Sequence, residues 1–264
     1  ASDVYKRQVM AREIINHPDF ATRDTSSLRM LGGGGAPVQP DLTEKVMARG
    51  GNTMPAQGYG LTETSGMAAS SWGIFLNDKP GSAGRVLPVF DAKAVDAEGN
   101  DLPVGETGEI CLRGPQVIKG YLNRPEATAE TIVDGWLHTG DIGFVDEDDF
   151  VFLVDRAKDM VLRGGENVYC TEVEVAIFKH DAVAEAAVFS VPDERLGEEV
   201  GAAVLPMADQ ELSAAALREF LADKLAPFKI PRYIWIMDTP LPRNASGKFV
   251  KRELKDMLDI ADAS

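Results

Sequence analysis

The stretch QGYGLTET, residues 57–64, sets an aromatic ring between two glycines and follows it with a hydroxyl and a carboxylate. Together with the preceding GNTMPA it reads as a strand running into a glycine loop. The same arrangement stands upstream, where SLRM runs into LGGGGAP and then into the helical pattern QPDLTEKVMARGG, with proline near its first turn and glycines at its end. A further helical pattern, VMAREIIN, precedes these at residues 9–16. Strands alternating with helices, with glycine loops at the carboxyl ends of the strands, are the pattern of an α/β layer whose loops meet a ligand.

The residue types say which ligand. Tyr59 can lay its ring face on a purine. Thr62 offers a hydroxyl to a phosphate oxygen, and Glu63 is a hard-oxygen ligand suited to Mg²⁺. A turn with only a structural duty does not need aromatic, hydroxyl and carboxylate in that order. LGGGGAP lacks the Lys-Ser/Thr of a phosphate loop and the spacing of a dinucleotide fingerprint. It reads either as a flexible strand-to-helix turn or as a close backbone approach to a flat ligand. GWLHTGDIG places Asp141 behind a glycine turn at the start of a strand, where a carboxylate can accept from both hydroxyls of a ribose. His138 reads as a turn or core histidine, and His17 and His180, the other two, give no Ser-His-Asp triad. Near the carboxyl end, LPRNASGKFVKREL sets Lys248 behind turn formers and ahead of a helical pattern. Lysine there is a compact charge with three donors, suited to phosphate or carboxylate, although an isolated lysine at such a junction is more often simply solvated.

After Pro80 the texture becomes strand, turn, strand, as in a small antiparallel sheet or barrel, and a compact α+β unit follows Arg156. The chain carries 27 Lys and Arg against 42 Asp and Glu, a net charge of −15, which excludes a general nucleic-acid binder. A polyanionic ligand must then be met by backbone N–H groups and a few placed cations. No apolar run is long enough to span a membrane. Cys111 and Cys170 have neither metal-ligand spacing nor a disulfide framework, and Cys111 reads as a small core residue. A cytoplasmic location follows as the default, with a peripheral membrane position as the variant. DVYKRQ matches the translation of a transposon-derived sequencing adapter, so residues 1–8 are set aside as a scar and the reading frame is expected to be cut short at its amino end.

QGYGLTET, TGEICLRGPQVIKGYLNRPEAT, GWLHTGD, DRAKDMVLRGGENVYCTEVE and PRNASGKFVKREL occur in this order. Together they resemble the adenylate-forming superfamily of acyl-CoA synthetases, luciferases and peptide-synthetase adenylation domains, most of all its fatty-acyl and related acyl-CoA ligases. The resemblance implies an α/β fold: residues 9–155 as the C-terminal part of a large α/β domain with a small β-barrel, a hinge at 156–158, and a small mobile α+β domain over 159–264. It implies ATP, Mg²⁺ and coenzyme A, with a carboxylic acid converted to acyl-AMP and then to a thioester.

By the same resemblance Gly35 and Ala36 line the adenine and Tyr59 stacks on it, with Gln57, Gly58 and Gly60 beside it. Thr62 touches the α-phosphate, Glu63 holds Mg²⁺, and Asp141 and Arg156 bind the ribose. Lys158 is the hinge, Gly164 and Gly165 border the pantetheine tunnel, and Lys248 bridges the carboxylate and the α-phosphate. SGMAASSWG gives small residues for one wall of an apolar acyl site. The sequence departs from the family at Cys170, where proline is frequent, and in lacking the Ser/Thr/Gly-rich phosphate loop that ends in lysine. This piece alone is therefore expected not to turn over. An adenylation domain that loads a carrier protein, and a nucleotide-binding remnant without catalysis, are the alternatives.

Overall fold

The structure is a computed structural model and describes residues 2–5, 14, 15, 17–34, 45, 46, 48, 53–73, 75–244 and 249–264. The chain divides into two compact units, Ala1–Leu153 and Val154–Ser264.

The first unit is built on strands β1 (Ser2–Tyr5), β2 (Leu28–Gly34), β3 (Met54–Leu61), β4 (Gly66–Trp72), β5 (Gly84–Val86), β6 (Asp91–Val95), β7 (Gly108–Arg113), β8 (Ile132–Val133), β9 (Trp136–Val145) and the first residues of β10 (Phe150–Arg156), whose last three residues fall in the second unit. Helices α1 (Phe75–Asp78) and α2 (Pro125–Thr131) lie between them in sequence. The strands join in one sheet in the order β1-β2-β3-β4-β5-β10-β9-β7-β6, with β8 on β9. β1, β2 and β3 run parallel, and β4 turns back on β3. The antiparallel strands after Pro80 are thus continuous with the parallel ones rather than a separate layer, because β5 joins β4 to β10.

One expectation is adjusted here. Gly58 and Gly60 belong to β3 itself, not to a loop after it. At Gly60 the reason is close approach: a Cβ there would sit 1.9 Å from the carbonyl oxygen of Gly66 on β4. Residues 2–5, set aside as a scar, pair along the edge of β2 from Ser2↔Leu28 to Tyr5↔Gly32. Valine and tyrosine favour extended backbone, and an open strand edge offers unpaired N–H and C=O groups to any such segment. Of the two amino-terminal helical patterns, residues 14, 15, 45, 46 and 48 are helical and the remainder lies outside the described residues. Ile14, Ile15 and Phe20 pack on Leu28, Leu31 and Val46. The main core of this unit gathers Tyr59, Ala68, Ala69, Phe90, Ile110, Leu112 and Val151.

The second unit comprises β11 (Val161–Arg163), β12 (Glu166–Val168), β13 (Val183–Asp193), β14 (Gly197–Pro206) and β15 (Tyr233–Ile236), with α3 (Cys170–Ile177), α4 (Ala214–Ala222) and α5 (Lys251–Met257). Its sheet runs β12-β11-β14-β13, and β15 lies parallel to β14. β13 is buried on both faces, which is why AAVFSV reads as a continuous apolar run. Ala186 and Val188 pack with Val173, Ile177, Leu217 and Leu221, while Ala187, Phe189 and Val191 pack with Trp235 and Leu254. Ser213 starts α4 by accepting the N–H of Ala216 on its Oγ at 3.2 Å. Among the described residues no helix is long and apolar enough to cross a membrane.

Candidate active site

The end of β3 delivers Thr62, Glu63 and Thr64 as one short 3₁₀ turn. Thr64 makes that turn: its buried Oγ1 accepts the N–H of Leu61 at 2.9 Å and reaches the carbonyl of Gly66 at 2.7 Å. Thr62 stands exposed at the first position of the turn, and Glu63 is half-buried behind it. Glu63 is held from two sides. Its Oε1 accepts from the Tyr121 hydroxyl at 2.7 Å, and its backbone carbonyl accepts from Ile118 at 2.8 Å. The Tyr121 hydroxyl is correspondingly raised above its usual range, chiefly by donating to that carboxylate. Oε2 of Glu63 takes no hydrogen bond from the described residues, so the side chain presents one hard oxygen, which fits a Mg²⁺ ligand.

Asp141 reaches the same region from β9. Its Oδ2 accepts from the Tyr59 hydroxyl at 2.7 Å, a contact between residues 82 apart in sequence, and both residues are buried. Asp141 lies within β9, at a bulge, rather than at the start of a strand as its position after a glycine suggests. Gln57 and Tyr59, at 6% and 8% exposed, are both built into β3, and Ala68 and Ala69 of SGMAASSWG are buried in the core beside Tyr59.

Around the bulge, Glu109 of β7 accepts from the Gly140 N–H on Oε1 at 2.8 Å and lies 2.8 Å from His138 Nδ1 through Oε2. His138 is therefore neither a turn residue nor a core one but a strand residue holding a carboxylate. With Cys111 these two form a group of three metal-ligand types among the described residues. The hydrogen bonds speak against a cation there. Both Glu109 oxygens are already engaged by protein donors, the Gly140 N–H and His138 Nδ1.

In the second unit, Arg156 and Lys158 are exposed in a turn closed by the N–H groups of Asp159 and Met160 on the Arg156 carbonyl. Asp155, just before them, is buried and anchored. It accepts from the N–H of Arg156 at 2.8 Å and from Thr171 at the start of α3, and burial raises its carboxyl above the ordinary range. Gly164 and Gly165, at φ +59° and +90°, are the two central residues of the hairpin between β11 and β12. A two-residue turn of this hand needs positive φ at both positions, so the turn alone accounts for both glycines. Gly35, Ala36 and Lys248 lie outside the described residues. Arg243 pairs with Phe249, and the Val250 N–H donates to the Pro242 carbonyl at 2.9 Å.

Sequence reasoning assigned no role to Tyr121, Glu109 or Asp155, although the first two stand inside TGEICLRGPQVIKGYLNRPEAT. Only their partners, 58, 29 and 16 residues away, reveal what they do.

This arrangement is that of an enzyme family. The AMP-binding enzyme model matches residues 8–122 and the AMP-binding enzyme C-terminal domain model matches residues 172–248. The chain is 42% identical over 254 residues to a fatty acid–[acyl-carrier-protein] ligase of Streptomyces coeruleorubidus, covering 94% of this chain and 48% of that protein. It is 40% identical over 243 residues to a long-chain-fatty-acid–CoA ligase of Escherichia coli, covering 92% and 43%. In structure it matches o-succinylbenzoate CoA synthetase of Bacillus subtilis in complex with its acyl-adenylate intermediate, with a TM-score of 0.86 at 34% identity, covering 98% of this chain and 51% of that one. The chain belongs to the AMP-binding, adenylate-forming enzyme family. It spans about half the length of the curated relatives it matches.

Proposed function

We propose that the protein carrying this chain activates a carboxylic acid with ATP and then passes the acyl group to a thiol. In the first step a carboxylate oxygen attacks the α-phosphorus, an acyl–O–P bond forms and pyrophosphate leaves. In the second the thiol sulfur attacks the acyl carbon, the C–O bond breaks and AMP leaves. The observation that carries this reading is the meeting of QGYGLTET and GWLHTGD at the Tyr59–Asp141 hydrogen bond, which sets an aromatic and a ribose-type carboxylate at one place.

Asp141 accepts from the ribose hydroxyls, with Arg156 as a second ribose contact, and Tyr59, Gln57, Gly58, Gly60, Gly35 and Ala36 surround the adenine. Thr62 donates its hydroxyl to the α-phosphate. Glu63, steadied by Tyr121, holds Mg²⁺, which neutralises charge on the phosphates when bound. Lys248 sits between the two anions that must approach each other, which lowers the barrier for that step. Residues 9–155 act as part of the large domain and 159–264 as the small mobile one. Lys158, exposed in the turn between them, is the pivot, and a swing there must release the Thr171 N–H and hydroxyl from Asp155.

Coenzyme A is the thiol we favour and a fatty or related acyl acid the substrate. A carrier-protein thiol is the second reading, because a relative 42% identical is named for that acceptor. The test is carboxylate-dependent release of pyrophosphate from ATP across a series of fatty-acid chain lengths, in protein expressed from its full reading frame. Turnover that no carboxylate stimulates overturns the proposal.

A further inference from the structure

Glu109 and His138 have no part in the chemistry above, yet they grip the strand that presents Asp141. Between β7 and β9 the register shifts: Glu109 faces Ile142 while Cys111 faces His138, so two steps along β7 cover four along β9. The surplus is stored at Thr139, Gly140 and Asp141, with Gly140 at φ +69°. A bulge of this kind re-aims a side chain, and it stays put only if its freed backbone groups are held.

Four hydrogen bonds hold this one. The Thr139 hydroxyl donates to the Ile110 carbonyl at 2.7 Å and accepts from the Asp141 N–H at 3.1 Å. Glu109 supplies the other two, taking the Gly140 N–H on one oxygen and His138 Nδ1 on the other, each at 2.8 Å. A carboxylate only accepts, so the ring proton of His138 sits on Nδ1. Bonds to an ionised acceptor are about twice as strong as neutral ones, and Glu109 therefore ties the middle of the bulge at Gly140, and His138 just before it, to β7 more firmly than Thr139 does.

We infer that Glu109 is a positioning residue for nucleotide recognition: it fixes the β9 bulge so that Asp141 faces the two ribose hydroxyls. The inference rests on the proposed role of Asp141. A purely structural Glu109 would lower stability without altering how the site tells one sugar from another, whereas a positioning residue must alter that discrimination.

The test compares KM for ATP with KM for its dideoxyribose analogue in the carboxylate-dependent reaction, using protein from the full reading frame. Asp141→Ala should abolish the preference for ATP. Glu109→Ala should raise KM for ATP about tenfold, the scale of one misplaced hydrogen bond to a charged group, and leave the analogue within about twofold. Glu109→Gln should keep most of the preference, because its amide oxygen still accepts from Gly140. If Glu109→Ala does not fold, Glu109→Asp carries the same test: one methylene shorter, it cannot span Gly140 and His138 together and must lose preference. Glu109→Ala or Glu109→Asp keeping the full preference while Asp141→Ala loses it overturns the positioning role and leaves the ribose reading intact. Asp141→Ala keeping the preference overturns the ribose reading and this inference with it.

Discussion

Glu199→Gln is a one-atom change with a large expected cost. Glu199 lies on β14 at 1% exposure and receives both Nε and Nη2 of Arg163, at 2.7 and 2.9 Å, with Arg232 at 3.5 Å. Burial is the largest single influence and would lift its carboxyl, but the hydrogen bonding and charge of Arg163, the Val200 N–H and Arg232 together hold it below the usual glutamate range. Breaking one partner of a buried pair costs about 3–5 kcal/mol. Arg163 keeps 25% of its side chain in water, so the loss should fall at or just below that range, about 2–3 kcal/mol. With a urea dependence of about 1–3 kcal/mol per molar, the unfolding midpoint of the second unit should drop by roughly 0.7–3 M. Hydrogen exchange of β13 and β14 peptides along a urea series reads this unit by itself.

The sign with pH follows. A carboxyl whose folded value is depressed contributes stability above its unfolded value and loses it as pH falls through the folded one. The wild-type advantage over Glu199→Gln should therefore be full at neutral pH and vanish on acidification. The same pair fixes β11, whose end carries the Gly164–Gly165 turn and whose Gly164 N–H reaches the Leu196 carbonyl at 2.8 Å. Thioester formation should accordingly fall more than adenylation. A midpoint change worth less than about 1 kcal/mol, or an advantage that persists at acid pH, refutes the reasoning.

Two further substitutions address the proposed roles. Lys158→Pro fixes φ at the proposed pivot and should retain adenylation while losing most thioester formation; both steps surviving unchanged in single-turnover assays would mean the small domain does not swing there. Lys248→Ala should slow adenylation by roughly 10²–10³, with thioester formation from supplied acyl-AMP much less affected, and equal loss in both half-reactions would remove the bridging role.

Local pattern carried the element types well where one face or both are apolar. AAVFSV and VFLVDR could only be strands, and SAAALREFLADKL shows its cap and its helical spacing outright. It failed at the glycines of QGYGLTET, because a glycine demanded by a neighbouring strand's carbonyl looks the same in sequence as one demanded by a turn. The continuity of the antiparallel half with the parallel one was likewise not legible: β5, three residues long, is what joins the two halves of the sheet, and so short a strand carries no period. Around the proposed site, Tyr59, Glu63 and Asp141 could be singled out from their side-chain chemistry, and the structure brings Tyr59 and Asp141 into one hydrogen bond. Those that hold them, Tyr121 and Glu109, were not, since a hydrogen bond across 58 or 29 residues leaves no local trace.

The central claim is that the acid is activated as an acyl-adenylate, and the fate of the carboxylate oxygens tests it most directly. A fatty acid labelled with heavy oxygen in both carboxylate positions is turned over with ATP and coenzyme A, and the phosphorus products are weighed by mass spectrometry. Attack on the α-phosphorus followed by cleavage of the acyl C–O bond must leave one labelled oxygen in AMP and none in pyrophosphate. Label in inorganic phosphate with ADP as the nucleotide product, or unlabelled AMP, would contradict the account.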